Sequence, residues 1–349
     1  MRIIEIEKDA GAEWNRFVSA EYPPIGDFMH SWEWSVFQEA LGRTVRRFFV
    51  REDEEFVAAF FAVEHRLPMG QFYVYVPRGP VIARKWATGE HLARVLKELH
   101  TWTREQFPRA LFVRFEPPLS SEAMSAVARE GFSIPTHYVQ PRYNLAISLT
   151  PSEEEIATGF HPSTRSNLHR AERRGVTVAM KLAVTSEDLG QFFKMMRDTI
   201  ARNSGTNAYP SETYFHALFK SIPPLRDTFE AHRPKMGVFF GYQNGEPAAA
   251  HFVVFFGKTA TYLYGASFTN KLSSKVTTYL HWEALREGKR RGCEWYDLGG
   301  IDAVRWPSLT EYKRQFRGKE FEYIGNLDVP VRPLFYRAYH ALRTLRPRN

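Results

Sequence analysis

Phe72-Tyr-Val-Tyr-Val76 and Thr261-Tyr-Leu-Tyr-Gly265 are short aromatic runs roughly 190 residues apart, and the same kinds of segment surround each. Before the first, Arg46 to Val50 reads as a strand, Glu52-Asp-Glu-Glu55 as a turn and Phe56 to Val63 as the returning strand. After it come Pro77-Arg-Gly-Pro80, a helix predicted from about Thr88 to Phe107, and a strand from Ala110 to Phe115. Before the second run, Gly237 to Tyr242 is a strand, Gln243-Asn-Gly-Glu246 a hairpin turn, and Ala248 to Phe256 the return. A helix from about Ser273 to Arg291 and a strand from Glu294 to Leu298 follow. The shared order predicts two copies of one α/β unit.

Composition agrees with two cores. The chain has 349 residues, 15% aromatic and 25% charged, which excludes disorder and fibrous architectures. Met1-Arg-Ile-Ile-Glu-Ile-Glu alternates like a first strand and lacks the apolar core of a signal peptide. No window approaches the roughly 18 apolar residues of a membrane span. A single cysteine, Cys293, excludes an internal disulfide and a cysteine-based metal cluster, and the cytoplasm is the expected compartment. The scattered histidines have no metal-ligand spacing, so no metal is expected. His251, inside a strand, reads as a core histidine.

The net charge of +8 favours an anionic partner, and two stretches concentrate it. From His161 to Lys181 the chain carries Arg165, Arg170, Arg173 and Arg174 against one acid, Glu172. After Asp328 there is no acid, while Arg332, Arg337, Arg343, Arg346 and Arg348 are interleaved with Leu334, Phe335, Ala338, Tyr339, Leu342 and Leu345. That spacing predicts a basic amphipathic helix whose apolar stripe docks on the body of the protein, with contact at the inner membrane surface as the alternative.

A hairpin, a strand, a helix and a further strand form the core order of the Gcn5-related acetyltransferase fold. Two copies predict tandem acetyltransferase-like (GNAT-like) domains of α/β (α+β) class. Neither copy has the glycine-rich turn that holds coenzyme A pyrophosphate. The equivalent stretches are Arg78-Gly-Pro-Val-Ile-Ala-Arg-Lys-Trp-Ala-Thr88 and Ala266-Ser-Phe-Thr-Asn-Lys-Leu-Ser-Ser-Lys-Val276. Four motifs follow one another along the chain: His30-Ser-Trp-Glu-Trp-Ser-Val-Phe37, Leu67-Pro-Met-Gly70 to Tyr75-Val-Pro-Arg-Gly-Pro-Val81, Thr164-Arg-Ser-Asn-Leu-His-Arg-Ala-Glu-Arg-Arg-Gly175 and Glu311-Tyr-Lys-Arg-Gln-Phe-Arg-Gly318. In that order they resemble the Fem family of peptidoglycan-bridge aminoacyltransferases.

The resemblance implies a first domain of residues 1–145 plus 318–349, closed by the C-terminal helix, around a second domain of 146–317. Some members insert a helical hairpin in the second unit. Here the link from Arg202 to Lys235 carries Pro210, Pro223, Pro224 and Pro234 and leaves no room for one. The implied reaction is amine attack on the ester that links an amino acid to tRNA. It needs no cofactor; its partners would be aminoacyl-tRNA and a peptidoglycan precursor, either lipid II or UDP-MurNAc-pentapeptide. The location would be cytoplasmic or peripheral at the inner face of the membrane.

Such a reaction needs alignment of two anionic substrates and stabilisation of an oxyanion, without a nucleophilic triad. The resemblance assigns a functional lysine to Lys313. Tyr264 and Arg78 stand at equivalent strand ends of the two units, and Arg202 and Tyr214 are within reach of a diphosphate. Arg165, Arg170, Arg173 and Arg174 are candidates for tRNA. Two positions depart from the family pattern: Gln38, where relatives tend to carry lysine, and Pro210, where they tend to carry arginine four residues before a tyrosine. Gln38 is therefore a candidate acceptor contact of altered character. Glu116, Asp297 and Asp302 are equivalent candidates for a general base. Alternative functions on the same fold are transfer from coenzyme A, transfer to a protein N-terminus, and non-catalytic binding of RNA or a membrane surface.

Overall fold

Runs rich in aromatic and β-branched residues form strands here, and the strands assemble into two seven-stranded sheets. The computed structural model describes every residue except 8, 24, 136–137, 204–208, 227–228 and 346–349. Contacts divide the chain into one unit of Met1–Pro23, Met29–Arg142 and Glu322–Asn349 and another of Pro24–Phe28 and Tyr143–Phe321.

The first sheet runs Arg2–Glu5, Val45–Glu52, Glu55–Arg66, Phe72–Val76, Phe112–Phe115, Leu327–Pro330, with Val81–Ile82 added alongside Glu55–Arg66. Phe72–Val76 and Phe112–Phe115 are parallel, which demands a crossover. Helix Gly89–Gln106 supplies it and buries Leu92, Val95, Leu96 and Leu99 at helical spacing against Phe48, Phe60, Val74 and Val113 of the sheet. The strand predicted from Ala110 is shorter, because Ala110 and Leu111 complete the approach to it.

The last residues close this sheet. Leu327–Pro330 pairs antiparallel with Phe112–Phe115, and Arg114 donates two hydrogen bonds of 2.7 Å to the Asp328 carboxylate. Both side chains are buried. Helix Pro333–Leu345 then lays Tyr336 and Tyr339 on the Phe112 ring, with centroids 5.3 and 5.1 Å away. The tail docks as expected, but by a different face: among the described side chains of the apolar stripe Tyr339 points inward, while Leu334, Phe335 and Leu342 are exposed. Tyr336, outside that stripe, supplies the second ring on the sheet. Arg346 and Arg348 lie outside the described residues.

The second sheet runs Lys319–Glu322, Tyr143–Ser148, Trp295–Ile301, Thr259–Ser267, Glu246–Phe256, Lys235–Gln243, Val176–Lys181. Its hairpin turn has Asn244 and Gly245 at φ 52° and 81°, the mirror-image turn that an Asn-Gly pair favours. The parallel pair is again bridged by a helix, Val276–Arg290. The helix predicted from Ser273 is broken at its start: Thr269–Ser274 forms a tighter turn and Lys275 takes a left-handed φ of 67° before the α-helix begins. On the opposite sheet face, helix Ser186–Arg202 starts at a reciprocal Thr185–Asp188 cap and sets Phe192 on Phe252 at 4.2 Å. The described residues of the Arg202–Lys235 link hold one helix, Glu212–Ser221.

Candidate functional site

In the second unit the parallel strands pair only through Thr259–Trp295, Ala260–Tyr296 and Thr261–Asp297, and then part. Asp297-Leu-Gly-Gly300 sets the separation. Gly299 has a φ of 79°, and the ladder with Tyr143–Ser148 loses register between Asp297 and Gly300. Asp297 is buried and accepts hydrogen bonds from Asn144 at 2.9 Å and from the Gly299 N–H at 2.7 Å. From helix Pro307–Arg314, Lys313 donates through Nζ to the Gly300 carbonyl at 2.7 Å. Only 5% of Lys313 is exposed. Burial lowers its pKa to about 8, the nearby Asp297 carboxylate opposing that shift. An ammonium with two further N–H groups therefore stands where the strands open.

One extra residue shapes the opposite wall. Phe252 faces Tyr264 in the register but Val253 faces Tyr262, so Leu263 is a bulge. In regular pleating Tyr262 and Tyr264 would share a face. The bulge sends them apart. Tyr264 packs on Phe215 with ring centroids 5.0 Å apart and donates to the Tyr214 hydroxyl at 3.0 Å. Tyr262 instead meets His251 and His281 with centroids at 4.8 and 4.6 Å. The two imidazoles lie 4.3 Å apart, and His281 Nδ1 is 2.9 Å from the Tyr296 hydroxyl. A Cβ on Gly265 would come within 2.3 Å of the Tyr262 hydroxyl and 2.7 Å of the His251 ring, so only glycine fits opposite His251.

Burial keeps this cluster neutral. It lowers His251 to a pKa of about 3 and His281 well below the usual imidazole range, with His251 and Lys313 adding to the second shift. It raises Tyr262 and Tyr296. At neutral pH the cation beside the cluster belongs to Lys313.

Several residues singled out in the sequence gather along the same strand. Arg202 donates to the Ser267 carbonyl at 3.3 Å and to the Thr269 hydroxyl at 2.9 Å. Tyr209 donates to the Gly265 carbonyl at 2.5 Å. Tyr214 and Tyr264 lie beside them, and Pro210 leads into the Ser211 cap of helix Glu212–Ser221. Helix Pro162–Arg173 buries Thr164, Leu168 and Ala171 and exposes Arg170, Arg173 and, just after it, Arg174. Arg165 instead donates to the carbonyls of Thr158 and Phe160 at 2.9 and 2.6 Å, closing the preceding helix. At the start of helix Val276–Arg290 the Ser274 hydroxyl accepts from the Val276 N–H at 3.3 Å.

Arg78 and Gln38 belong to the first unit, where the equivalent opening is sealed. The Glu116 N–H donates to the Gly79 carbonyl at 2.8 Å. The Glu116 carboxylate accepts from the Tyr75 hydroxyl, the Gln140 N–H and the Arg78 N–H at 2.6, 3.0 and 3.3 Å. Arg78 is buried, lies 4.2 Å over the Tyr323 ring and donates to the Pro141 carbonyl at 3.0 Å. Gln38 is buried and accepts from Arg43. Of the other acids, Asp302 accepts the N–H groups of Val304 and Arg305 at 2.9 Å each. Among the described residues no group of three His, Cys, Asp or Glu could hold a metal.

Sequence reasoning passed over Tyr262, His281, Tyr296 and Asn144 and assigned His251 to the core. The available signal was the pairing of Asp-Leu-Gly-Gly with Tyr-Leu-Tyr-Gly at the ends of adjacent strands.

The sequence pattern of the FemAB family matches residues 10–130, 124–224 and 237–344. A lipid II:glycine glycyltransferase of Staphylococcus haemolyticus (strain JCSC1435) is 21% identical over 422 aligned residues, which span 100% of this chain and 96% of that protein. The crystal structure of FemX superposes with a TM-score of 0.80 at 17% identity, covering 97% of this chain and 100% of that one. A tandem GNAT protein from the clavulanic acid biosynthesis pathway gives a TM-score of 0.53 at 10% identity, covering 95% and 98% of the two chains. These two structures share the fold.

Proposed function

We propose, from the premise that this chain belongs to the FemAB family, that it is an aminoacyltransferase. It moves an amino acid from aminoacyl-tRNA to the stem peptide of a peptidoglycan precursor, either lipid II or UDP-MurNAc-pentapeptide. The acceptor amine attacks the ester carbonyl, the bond to the ribose oxygen breaks, and an amide forms. The proton lost by the amine balances the one gained by the ribose hydroxyl. The relative that acts on lipid II supports the acceptor class.

The observation that carries the chemistry is the buried ammonium of Lys313, held by the Gly300 carbonyl at the parting of two strands. In a site poor in water such a cation stabilises an oxyanion far better than it would in bulk solvent. Tyr264, Tyr214 and Arg202 offer hydroxyl and guanidinium groups along the adjoining strand for the acceptor. Arg78 and Gln38 are held inside the first unit and take no part in the proposed chemistry. Arg165, Arg170, Arg173 and Arg174 are assigned to the tRNA; the exposed Arg170, Arg173 and Arg174 suit phosphates directly, Arg165 by shaping the helix end. The lack of a glycine-rich turn before either long helix makes coenzyme A the less suited donor. Transfer from charged tRNA implies a cytoplasmic location.

The test is to incubate the purified protein with charged tRNA and each precursor and follow the labelled amino acid. Label in the muropeptide is expected. Acylation from coenzyme A with none from tRNA would overturn the proposal.

A further inference from the structure

Helix Pro333–Leu345 has two faces in opposite surroundings. Its inner face is fixed: Tyr336 and Tyr339 lie on Phe112, the Tyr336 hydroxyl donates to Asp328 at 3.1 Å, and His340 stacks beside Tyr336. At 100° per residue, Leu334, Phe335, Ala338 and Leu342 fall on one arc away from those rings. Its large side chains face solvent. Leu334 is 77% exposed, Leu342 65% and Phe335 46%. Water-facing helix surfaces ordinarily carry polar side chains, and a contiguous apolar stripe marks a surface meant to be covered.

The surroundings of the stripe identify its cover. Arg337 is exposed at the edge of the stripe, while Arg343, on the ring side, donates to the Tyr339 hydroxyl at 3.2 Å. Arg332 lies 3.8 Å over the Phe335 ring and donates to the Gln71 side chain at 2.8 Å. Gln71 follows the turn Pro68–Gly70, whose tip, Met69, is 92% exposed at a left-handed φ of 58°. A second apolar side chain is thus presented beside the helix, at a backbone conformation unfavourable for methionine. The sequence beyond Asp328 contains no acid, and Asp328 is buried against Arg114.

We infer that this face docks on an anionic lipid bilayer. The helix lies in the plane of the interface. Leu334, Phe335 and Leu342 enter the acyl boundary, Met69 inserts nearby, and the arginines reach lipid phosphates while their stems stay apolar. Charge favours this cover over a second copy of the chain, because a two-fold pairing of the stripe would bring Arg332 and Arg337 of the two copies together. The inference holds whichever acyl donor the protein uses.

The experiment is co-sedimentation of the full chain with extruded vesicles of phosphatidylcholine alone and of an equal phosphatidylcholine–phosphatidylglycerol mixture, in low and high salt. Binding to the mixed vesicles is expected, weakened at least about tenfold by salt or by the L334E/L342E double variant. M69S should weaken it less. Circular dichroism and thermal melting of the variants check that they remain folded. Three results would overturn the inference: no binding to mixed vesicles, binding untouched in a folded L334E/L342E protein, or a vesicle-free dimer that the double variant abolishes.

Discussion

The parallel strands of the two units open in the same way but are finished differently. In the first, the carboxylate at the opening is spent internally: Glu116 accepts from Tyr75, Arg78 and Gln140, and its own N–H donates to the Gly79 carbonyl. In the second, one N–H of Lys313 is spent on Gly300, and the surrounding imidazoles and phenols are held neutral. A duplicated fold has thus kept one opening as a joint and left charge at the other. Buried polar networks that are fully satisfied stabilise and specify; a buried charge with capacity to spare is a place to look for chemistry.

The comparison can be broken by substitution. The largest effect is expected from Asp328→Ala, which strands the Arg114 guanidinium in the first sheet. Loss of one partner of a buried pair costs about 3–5 kcal/mol, to be read as a fall in denaturation midpoint. Lys313→Met should lower transfer about 10²–10³-fold, the range for removing one oxyanion donor, with far-ultraviolet dichroism unchanged. If Lys313→Met retains full activity, the contrast between the openings has no chemical meaning. Glu116→Gln should behave the opposite way. An amide cannot accept from all three donors without mismatch, so stability falls by about 1–3 kcal/mol while turnover per folded molecule stays near that of the parent.

The subtlest test is the pH profile. Lys313 is lowered from the lysine range to about 8, so it is charged below that pH and neutral above it. A rate that depends on the ammonium should fall tenfold per unit above roughly pH 8, and Lys313→Arg should move that limb to higher pH. A rate that instead rises through pH 8 would assign Lys313 to proton abstraction.

Much of this architecture can be read from one sequence. Phe72–Val76 alternates plainly enough to be predicted to the residue, and Asn244-Gly245 announces its hairpin. The bulge at Leu263 is invisible, because an unpaired residue leaves no mark in a strand's own pattern; it shows only against the partner Phe252–Val253. Simple alternation therefore puts Tyr262 with Tyr264 rather than with His251 and His281. Nor does the pattern announce a buried Lys313. Glu311, Lys313 and Arg314 read as a charged run on a short helix, and it is the widened strand end at Gly299 and Gly300 that gives the ammonium somewhere to go. Lys313 became a candidate through family resemblance, whereas His281 had no motif to carry it.

The strand Leu327–Pro330, which completes the first sheet, bears on how the protein is made. Everything needed for the second unit has been synthesised before this strand exists, although the first unit began earlier. During that interval the growing chain carries an unfinished sheet, with the backbone of Phe112–Phe115 open along one edge and Arg114 awaiting its carboxylate. The order of completion reverses the order of synthesis: the inserted unit can finish first, while the unit begun first waits for a strand made after the whole of the second.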